Sequence, residues 1–524
     1  MERKAIAKRS SQYFFVKIFA TAMRVAGNFV IAQLFTVAGY GAYGFLFLIL
    51  SLGTVLHFGL ENAFGKQYPV EIGEGKKGHA DNLRDSAFTF SMMITIVVMA
   101  LFILFAIFWP NAEFEKRWAY IFIALTLPLQ LAVDYYRTFF RVTKEFGRIN
   151  RMELIYGVLE FVLRIAPVYY FVSISPNVQY ALIGLFVGLF LAFAATLFFA
   201  WIIAPEKIKI RWMIPEVKYL YRLGIPIFIC FIMDTLFKNG DKFMAKAFFQ
   251  DTGMGYYLLG SQIAGLLYFV PFAIGWVIFP LMLQKYGETH DGQKLAQYIF
   301  PPTSTIIQII LPFGAMLYLA LDFLIPAVLS KYNPSIPSAK ILIVGLFFWS
   351  IVNMVTYFLI AMDDRRRMIF YQVISLLLNL YLNWYFGVKL GMYISGIALG
   401  TSIAYFLYSV LIMKYSITKY FSDTAYFVKY YLKILMLNLV TFGVIVAVDQ
   451  LYFRDYWSEF FSANSIYMFL GRHQLLHFIK YELILDGFGI FILEILAALI
   501  FAGMISLAIR RWKLLVFDAR FKKA

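Results

Sequence analysis

About fourteen stretches of this chain are apolar for the roughly 20 residues that a helix needs to cross a bilayer. They lie near 12–36, 44–65, 85–109, 118–140, 152–173 and 179–204, then 220–249, 256–283, 298–326, 338–361, 369–388 and 393–413, with a last pair near 428–450 and 487–509. Backbone polar groups inside a bilayer must be satisfied within the segment, so the pattern dictates an all-α polytopic membrane protein. Composition agrees: 62% of residues are hydrophobic and only 15% charged, against about half and a quarter in a soluble domain. The 57 Phe and 36 Tyr suit lipid contact and interfacial belts. A net charge of +17 would suggest nucleic acid in a soluble protein, but here the basic residues sort by membrane side. Alternating sides from a cytoplasmic N-terminus puts about 32 Lys and Arg in inner segments and about 8 in outer ones, which predicts an N-in, C-in topology in the cytoplasmic membrane. The single Cys230 excludes an internal disulfide and a cysteine metal site. The first apolar run, interrupted by Lys17 and Arg24, reads as a retained helix and not as a cleaved signal.

Charge within the spans is the informative departure. The span 220–249 carries Asp234, Lys238, Asp241 and Lys242, of which the first three fall within about 60° on a helical wheel. A charge at a helix centre costs about 2.5 to 3.5 kcal/mol on insertion scales, so such a stripe is expected to face protein or a watery cavity. Other stripes repeat the spacing. Helix 1 has Lys17, Thr21, Arg24 and Asn28; helix 2 has Ser51, Thr54, His57 and Glu61; helix 4 has Gln130, Asp134, Arg137 and Arg141; helix 5 has Glu153, Gly157, Glu160 and Arg164. Helices 3 and 6 are nearly uncharged and are expected to face lipid. Later stripes are neutral: Ser350, Asn353 and Thr356, then Gln372, Ser375, Asn379 and Asn383.

An internal repeat organises these spans. The segment FVIAQLFTVAGYGAY aligns with FMAKAFFQDTGMGYY, so that Gly39, Gly41 and Tyr43 map onto Gly253, Gly255 and Tyr257 at one constant spacing, which also places Arg24 on Lys238. Helices 1 and 7 are then equivalents, each predicted to end in a Gly-x-Gly-x-Tyr turn with glycines at positive φ. Six helices separate them, so the halves are parallel repeats of the kind that transporters rock against each other. The domains expected are a six-helix lobe at 1–218, a second at 219–425, and an extra helix pair with a long outer loop and basic tail at 426–524.

Three stretches carry a family likeness: GYGAYGFLFLILSLGTVLHFGLENAFGKQYP; the run from GIPIFICFIMDTLFKNGDKF through MAKAFFQDTGMGYYLLGSQIAGLLYFVPFAIGWVIFPLM; and ILIVGLFF with NLYLNWYFGVKLGMYISGIALGTSIAYFLY. In these the chain resembles the polysaccharide flippases, Wzx-type and MurJ-type, of the multidrug/oligosaccharidyl-lipid/polysaccharide exporter superfamily. The resemblance implies two six-helix lobes around a V-shaped cavity and alternating access. It implies a polyprenyl (pyro)phosphate-linked oligosaccharide as substrate, flipped outward for surface polysaccharide assembly, with a lipid-tail groove at 428–509. The segment 451–486, rich in aromatics, departs from the pattern and reads as an interfacial helix.

A pyrophosphate needs cations, and those away from the inner surface are Arg24, Lys238, Lys242, Arg137, Arg164 and Lys17, with Arg offering a bidentate fork. Coupling to H⁺ or Na⁺ falls to Glu61, Asp134, Glu160, Asp234 or Asp241. No catalytic residue, metal site, cofactor or nucleic-acid partner is expected; the partners are the lipid-linked sugar, membrane lipids and polysaccharide polymerase machinery. Two other readings compete. A cation-coupled multidrug exporter of the same superfamily would favour a net negative cavity, and a polytopic glycosyltransferase or polymerase would carry its acids in large outer loops. The charges here lie within the spans, and no H-E-x-x-H, G-x-S-x-G or P-loop pattern occurs.

Overall fold

The computed structural model describes residues 2–450, except 54, 56, 110–113, 175–177 and 422–423. The predicted span 487–509 and the aromatic segment 451–486 lie outside the described residues. Among those described there is helix and no strand: α1 (Glu2–Leu34), α2 (Val37–Gly53), α3 (Leu60–Gly73), α4 (Lys77–Phe108), α5 (Phe114–Val142), α6 (Phe146–Ile174), α7 (Val178–Ile203), α8 (Ile214–Gly265), α9 (Phe269–Thr289), α10 (Phe300–Leu329), α11 (Ile336–Ile351), α12 (Asn353–Ala361), α13 (Arg365–Trp384), α14 (Tyr393–Phe421) and α15 (Thr424–Val448). Nine helical stretches in this set are long and apolar enough to span a membrane; two of them, Ile214–Thr289 and Gln293–Ala361, run for 76 and 69 residues through several breaks. The protein is a multi-pass membrane protein. Its contacts divide it into two compact units, Met1–Asn239 and Gly240–Ala524.

In the first unit α6 packs against α1 and α7, and α5 against α4 and α7. Phe64 stacks on Tyr135 with centroids 5.0 Å apart, and the Tyr135 hydroxyl donates to the Arg84 carbonyl at 2.6 Å. α4 meets the expectation of lipid exposure, with only 17% of its apolar window buried. α7 meets it on one face, where Leu191, Phe198 and Trp201 are exposed, and buries Leu185, Phe186 and Leu189 on the other, where it packs between α5 and α6. In the second unit α14 packs on α11 and α13, and α15 lies against α10 and α14.

The breaks differ from the sequence reading in an instructive way. The span 44–65 is two helices, α2 and α3, because Phe58 and Gly59 adopt φ of 45° and 88°. His57 Nδ1 accepts the Gly59 N–H at 2.9 Å, and a Cβ on Gly59 would lie 2.4 Å from the Gly224 carbonyl oxygen. Only glycine tolerates both constraints. The Gly-x-Gly-x-Tyr motifs are helical and not turns. α2 begins one residue after Thr36, whose Oγ1 accepts the Gly39 N–H at 3.1 Å as an N-cap. In the second half the break is at Gln250, with φ of 54°, inside α8. The repeat places Gln250 on Thr36, so the two halves break at the same position. Gly253 is required there by contact: a Cβ would meet the Phe249 Cβ at 2.2 Å.

Candidate functional site

The repeated tyrosine builds each unit's polar centre. After the break the chain returns towards the helix it has just left, and the buried Tyr43 donates its hydroxyl to Asn28 Oδ1 at 3.1 Å. Tyr257 does the same to Asp241 Oδ2 at 2.6 Å. One donor geometry thus serves a neutral amide in the first unit and a carboxylate in the second.

In the first unit the amide belongs to an ionic cluster. Arg164 on α6, fully buried, reaches Asn28 Oδ1 at 3.0 Å, the Tyr43 hydroxyl at 3.1 Å and Glu160 Oε1 at 3.3 Å. The other Glu160 oxygen takes the Arg24 Nε–H at 3.1 Å. Glu160 therefore bridges a buried guanidinium and one whose side chain is 38% exposed. Tyr156 lies between two arginines, with Arg24 5.7 Å and Arg137 5.1 Å from its ring centre. Arg137, 22% exposed, is held by Glu153 at 2.8 Å and by Asp134. Glu61 Oε1 accepts the Thr138 hydroxyl at 2.5 Å, with His57 Nε2 3.9 Å from its other oxygen. The stripes read from α1, α5 and α6 thus converge, and buried carboxylates fix two partly exposed guanidinium groups. An anchored fork is what recognition of a phosphate requires.

On α8, Lys238 pairs with Asp234 at 2.7 Å, one turn away. Asp241 is buried and also accepts the Lys242 backbone N–H at 2.8 Å. Lys17 lies in α1, and its side chain falls outside the described part. Near Asp241 in the chain of contacts, Tyr257 is also hydrogen-bonded to Thr401, Thr401 accepts from Asn379 at 3.1 Å, and Asn383 donates to Asn379 Oδ1 at 3.1 Å. The neutral stripe of α13 therefore joins the Asp241 centre.

The sequence reading passed over Asp322, Lys340 and Asp449. Lys340 contacts both carboxylates, Asp449 at 2.6 Å. Each stands near the end of its span, where a lone charge reads as a headgroup contact. Also unforeseen is the anchoring of the segment after α7, where buried Asp85 accepts the Lys209 N–H at 3.2 Å and meets Arg211 Nε at 3.2 Å.

A search of curated protein sequences found no match. Solved structures of three kinds share the fold. Lipid II flippase MurJ in an inward closed conformation aligns with a TM-score of 0.62 at 16% identity, covering 87% of this chain and 99% of that one. An inward-facing multidrug resistance MATE family transporter of the MOP superfamily aligns at 0.62 with 12% identity, over 77% and 95%. A MOP superfamily transporter from Pyrococcus furiosus, with a binding pocket of reverse polarity, aligns at 0.54 with 14% identity, over 80% and 96%. These likenesses show a shared fold, and the sequence profile described as polysaccharide biosynthesis protein matches residues 30–337, more than half of the chain, so the chain belongs to that family.

Proposed function

We propose that this membrane transporter flips a polyprenyl (pyro)phosphate-linked oligosaccharide across the cytoplasmic membrane by alternating access. Membership of the polysaccharide biosynthesis family carries the reading, and the anchored arginines give it a chemistry. Arg24 and Arg137 offer guanidinium groups already oriented by Glu160, Glu153 and Asp134, so little ordering is left to pay when a diphosphate arrives. Arg24 and its repeat equivalent Lys238 take the headgroup in this proposal, with Arg137 adding to the field, while buried Arg164 keeps Arg24's partner Glu160 in position.

Return of the empty carrier is driven by H⁺ or Na⁺ at the Asp241 centre. The Asp241 carboxylate, linked through the Tyr257 hydroxyl and Thr401 to the amides of Asn379 and Asn383, is the hard oxygen donor that a small cation takes. The chemistry of the donor set fits a monovalent ion better than a divalent one, because among the described residues no group of three acidic or histidine ligands converges.

The test is binding of a polyprenyl diphosphate, with and without sugar, to the purified protein and to Arg24→Ala and Lys238→Ala variants. Loss of one charge-assisted hydrogen bond, about 1.5 to 3 kcal/mol, predicts a weakening of roughly 10- to 150-fold. Binding of a hydrophobic organic cation with no response to diphosphate would replace the proposal with a drug-export reading. Transport indifferent to both pH and sodium gradients would remove the coupling step.

A further inference from the structure

The second unit holds another ionic centre, apart from Asp241. Asp322 on α10, Lys340 on α11 and Asp449, the residue after α15, line a cavity of about 560 Å³ together with Tyr318, Ser402 and Gln450. The lysine ammonium contacts both carboxylates and stands 4.6 Å from the centre of the Tyr318 ring. The two carboxyls are also within hydrogen-bonding reach of each other. Two ionised carboxylates cannot attract one another there, and one lysine neutralises only one of them. Counting the described residues, the centre is left with one negative charge in surroundings where an uncompensated charge is costly. The side chain of Asp449 is 95% buried, being 5% exposed, yet its Oδ1 receives no hydrogen bond from the described residues. Among the described residues lining the cavity, α10 contributes Tyr318 and Asp322, α11 contributes Lys340, α14 contributes the uncharged Leu399 and Ser402, and α15 is followed by Asp449 and Gln450.

We infer that Asp322 and Asp449 form a binding site for one monovalent cation, a proton or a sodium ion, that fastens the end of α15 to α10. When the cation is bound, the pair and Lys340 are jointly neutral. When it leaves, the surplus charge drives the two carboxylates apart, and α15 loses that fastening. The sequence topology assigns the ends of α10 and α15 to the extracytoplasmic side, so the site answers to the external medium. A divalent ion is disfavoured, because the lysine charge stands among the ligands.

The experiment uses the full chain purified in detergent. Infrared difference spectra over a pH titration are expected to show a protonated-carboxyl C=O stretch that is absent from Asp449→Asn. Sodium chloride is then compared with choline chloride at equal ionic strength. Loss of that stretch in sodium alone identifies sodium as an alternative occupant, and its persistence identifies the site as one for protons; both outcomes support the site. Lys340→Gln removes the competing positive charge and is expected to move the titration upward by roughly 1 to 3 pH units. A carboxyl signal identical in the wild type and Asp449→Asn, or a titration that Lys340→Gln leaves in place, overturns the inference. Should Asp449→Asn not fold, Asp322→Asn carries the same comparison.

Discussion

Replacing Glu160 by Gln separates the structural and the exposed half of the ionic cluster. Glu160 is 3.3 Å from Arg164 and 3.1 Å from Arg24. At an effective dielectric of about 20 the first contact alone has a gross Coulomb attraction of about 5 kcal/mol. Much of that offsets the cost of burying the two charges, so the net worth of the intact pair is small. The amide, however, cannot neutralise Arg164, which has no exposure to solvent, and an uncompensated buried charge costs about 3 to 5 kcal/mol. Arg24→Gln leaves Glu160 paired with Arg164 and removes a partly exposed guanidinium, so no buried charge is left uncompensated and its cost is expected well below that of Glu160→Gln. Thermal unfolding in detergent, with folded fraction read by size-exclusion, should therefore rank wild type and Arg24→Gln together and Glu160→Gln well below. The double variant Glu160→Leu with Arg164→Met removes both buried charges and should recover most of the loss. If Glu160→Gln unfolds no earlier than Arg24→Gln, or if the double variant is the least stable of the set, the assignment of Arg164 as a buried charge held by Glu160 is wrong.

Three further outcomes follow from the geometry. Gly59→Ala forces a positive φ and a contact with the Gly224 carbonyl; strain of about 1 to 3 kcal/mol plus the clash should lower the yield of folded protein sharply, whereas Gly73→Ala, which meets nothing within 4 Å, should not. Thr36→Ala removes the N-cap of α2 and is expected to cost about 1 kcal/mol, measurable as a lowered thermal midpoint that Thr36→Ser restores. Burial alone would raise the carboxyl of Asp364, between α12 and α13, but hydrogen bonds from Lys419, Tyr415 and Tyr420 outweigh it and hold the group below the ordinary aspartate range. A depressed folded value gives stability that is present above the unfolded pKa and lost as pH falls through the folded one. The wild type should therefore exceed Asp364→Asn in thermal midpoint at neutral pH, and the gap should close in acid.

Helical spacing made much of the polar core legible. Arg24 and Asn28 on one stripe, and Glu160 and Arg164 on another, meet as their periodicity requires, because a charge in an apolar helix has few places to go. The helix breaks were harder to read. Nothing in hydropathy marks Phe58 and Gly59 as left-handed, since Thr54, His57 and Glu61 keep helical spacing across the break, and the need for glycine comes from the Gly224 backbone far along the chain. The same blindness hid Lys340. A lysine three residues into a span is ordinarily a headgroup contact, and only packing of α10 and α15 beside α11 reveals that it is held between two aspartates. Helix 6 was legible on one face for a related reason: an uncharged helix is equally compatible with lipid and with a dry protein interior, and α7 exposes Phe198 and Trp201 while it buries Phe186 and Leu189.

The repeat bears on how one scaffold would serve the two ions of the proposed function. Tyr43 and Tyr257 occupy equivalent positions and reach back across equivalent breaks, yet what they meet differs in charge. In the first unit the hydroxyl lies among Asn28, Arg164 and Glu160. In the second it lies against Asp241, with Thr401 and the amides of α13 around it. Each tyrosine reaches back to the helix before its break, and in the proposed function the exchange of its partners changes the sign of what each centre attracts. Swapping the partners therefore tests the division of labour directly. Asp241→Asn should abolish any sodium or proton dependence of transport while diphosphate binding survives, and Arg24→Ala should do the reverse; a variant that removes both together would show that the two centres act as one site.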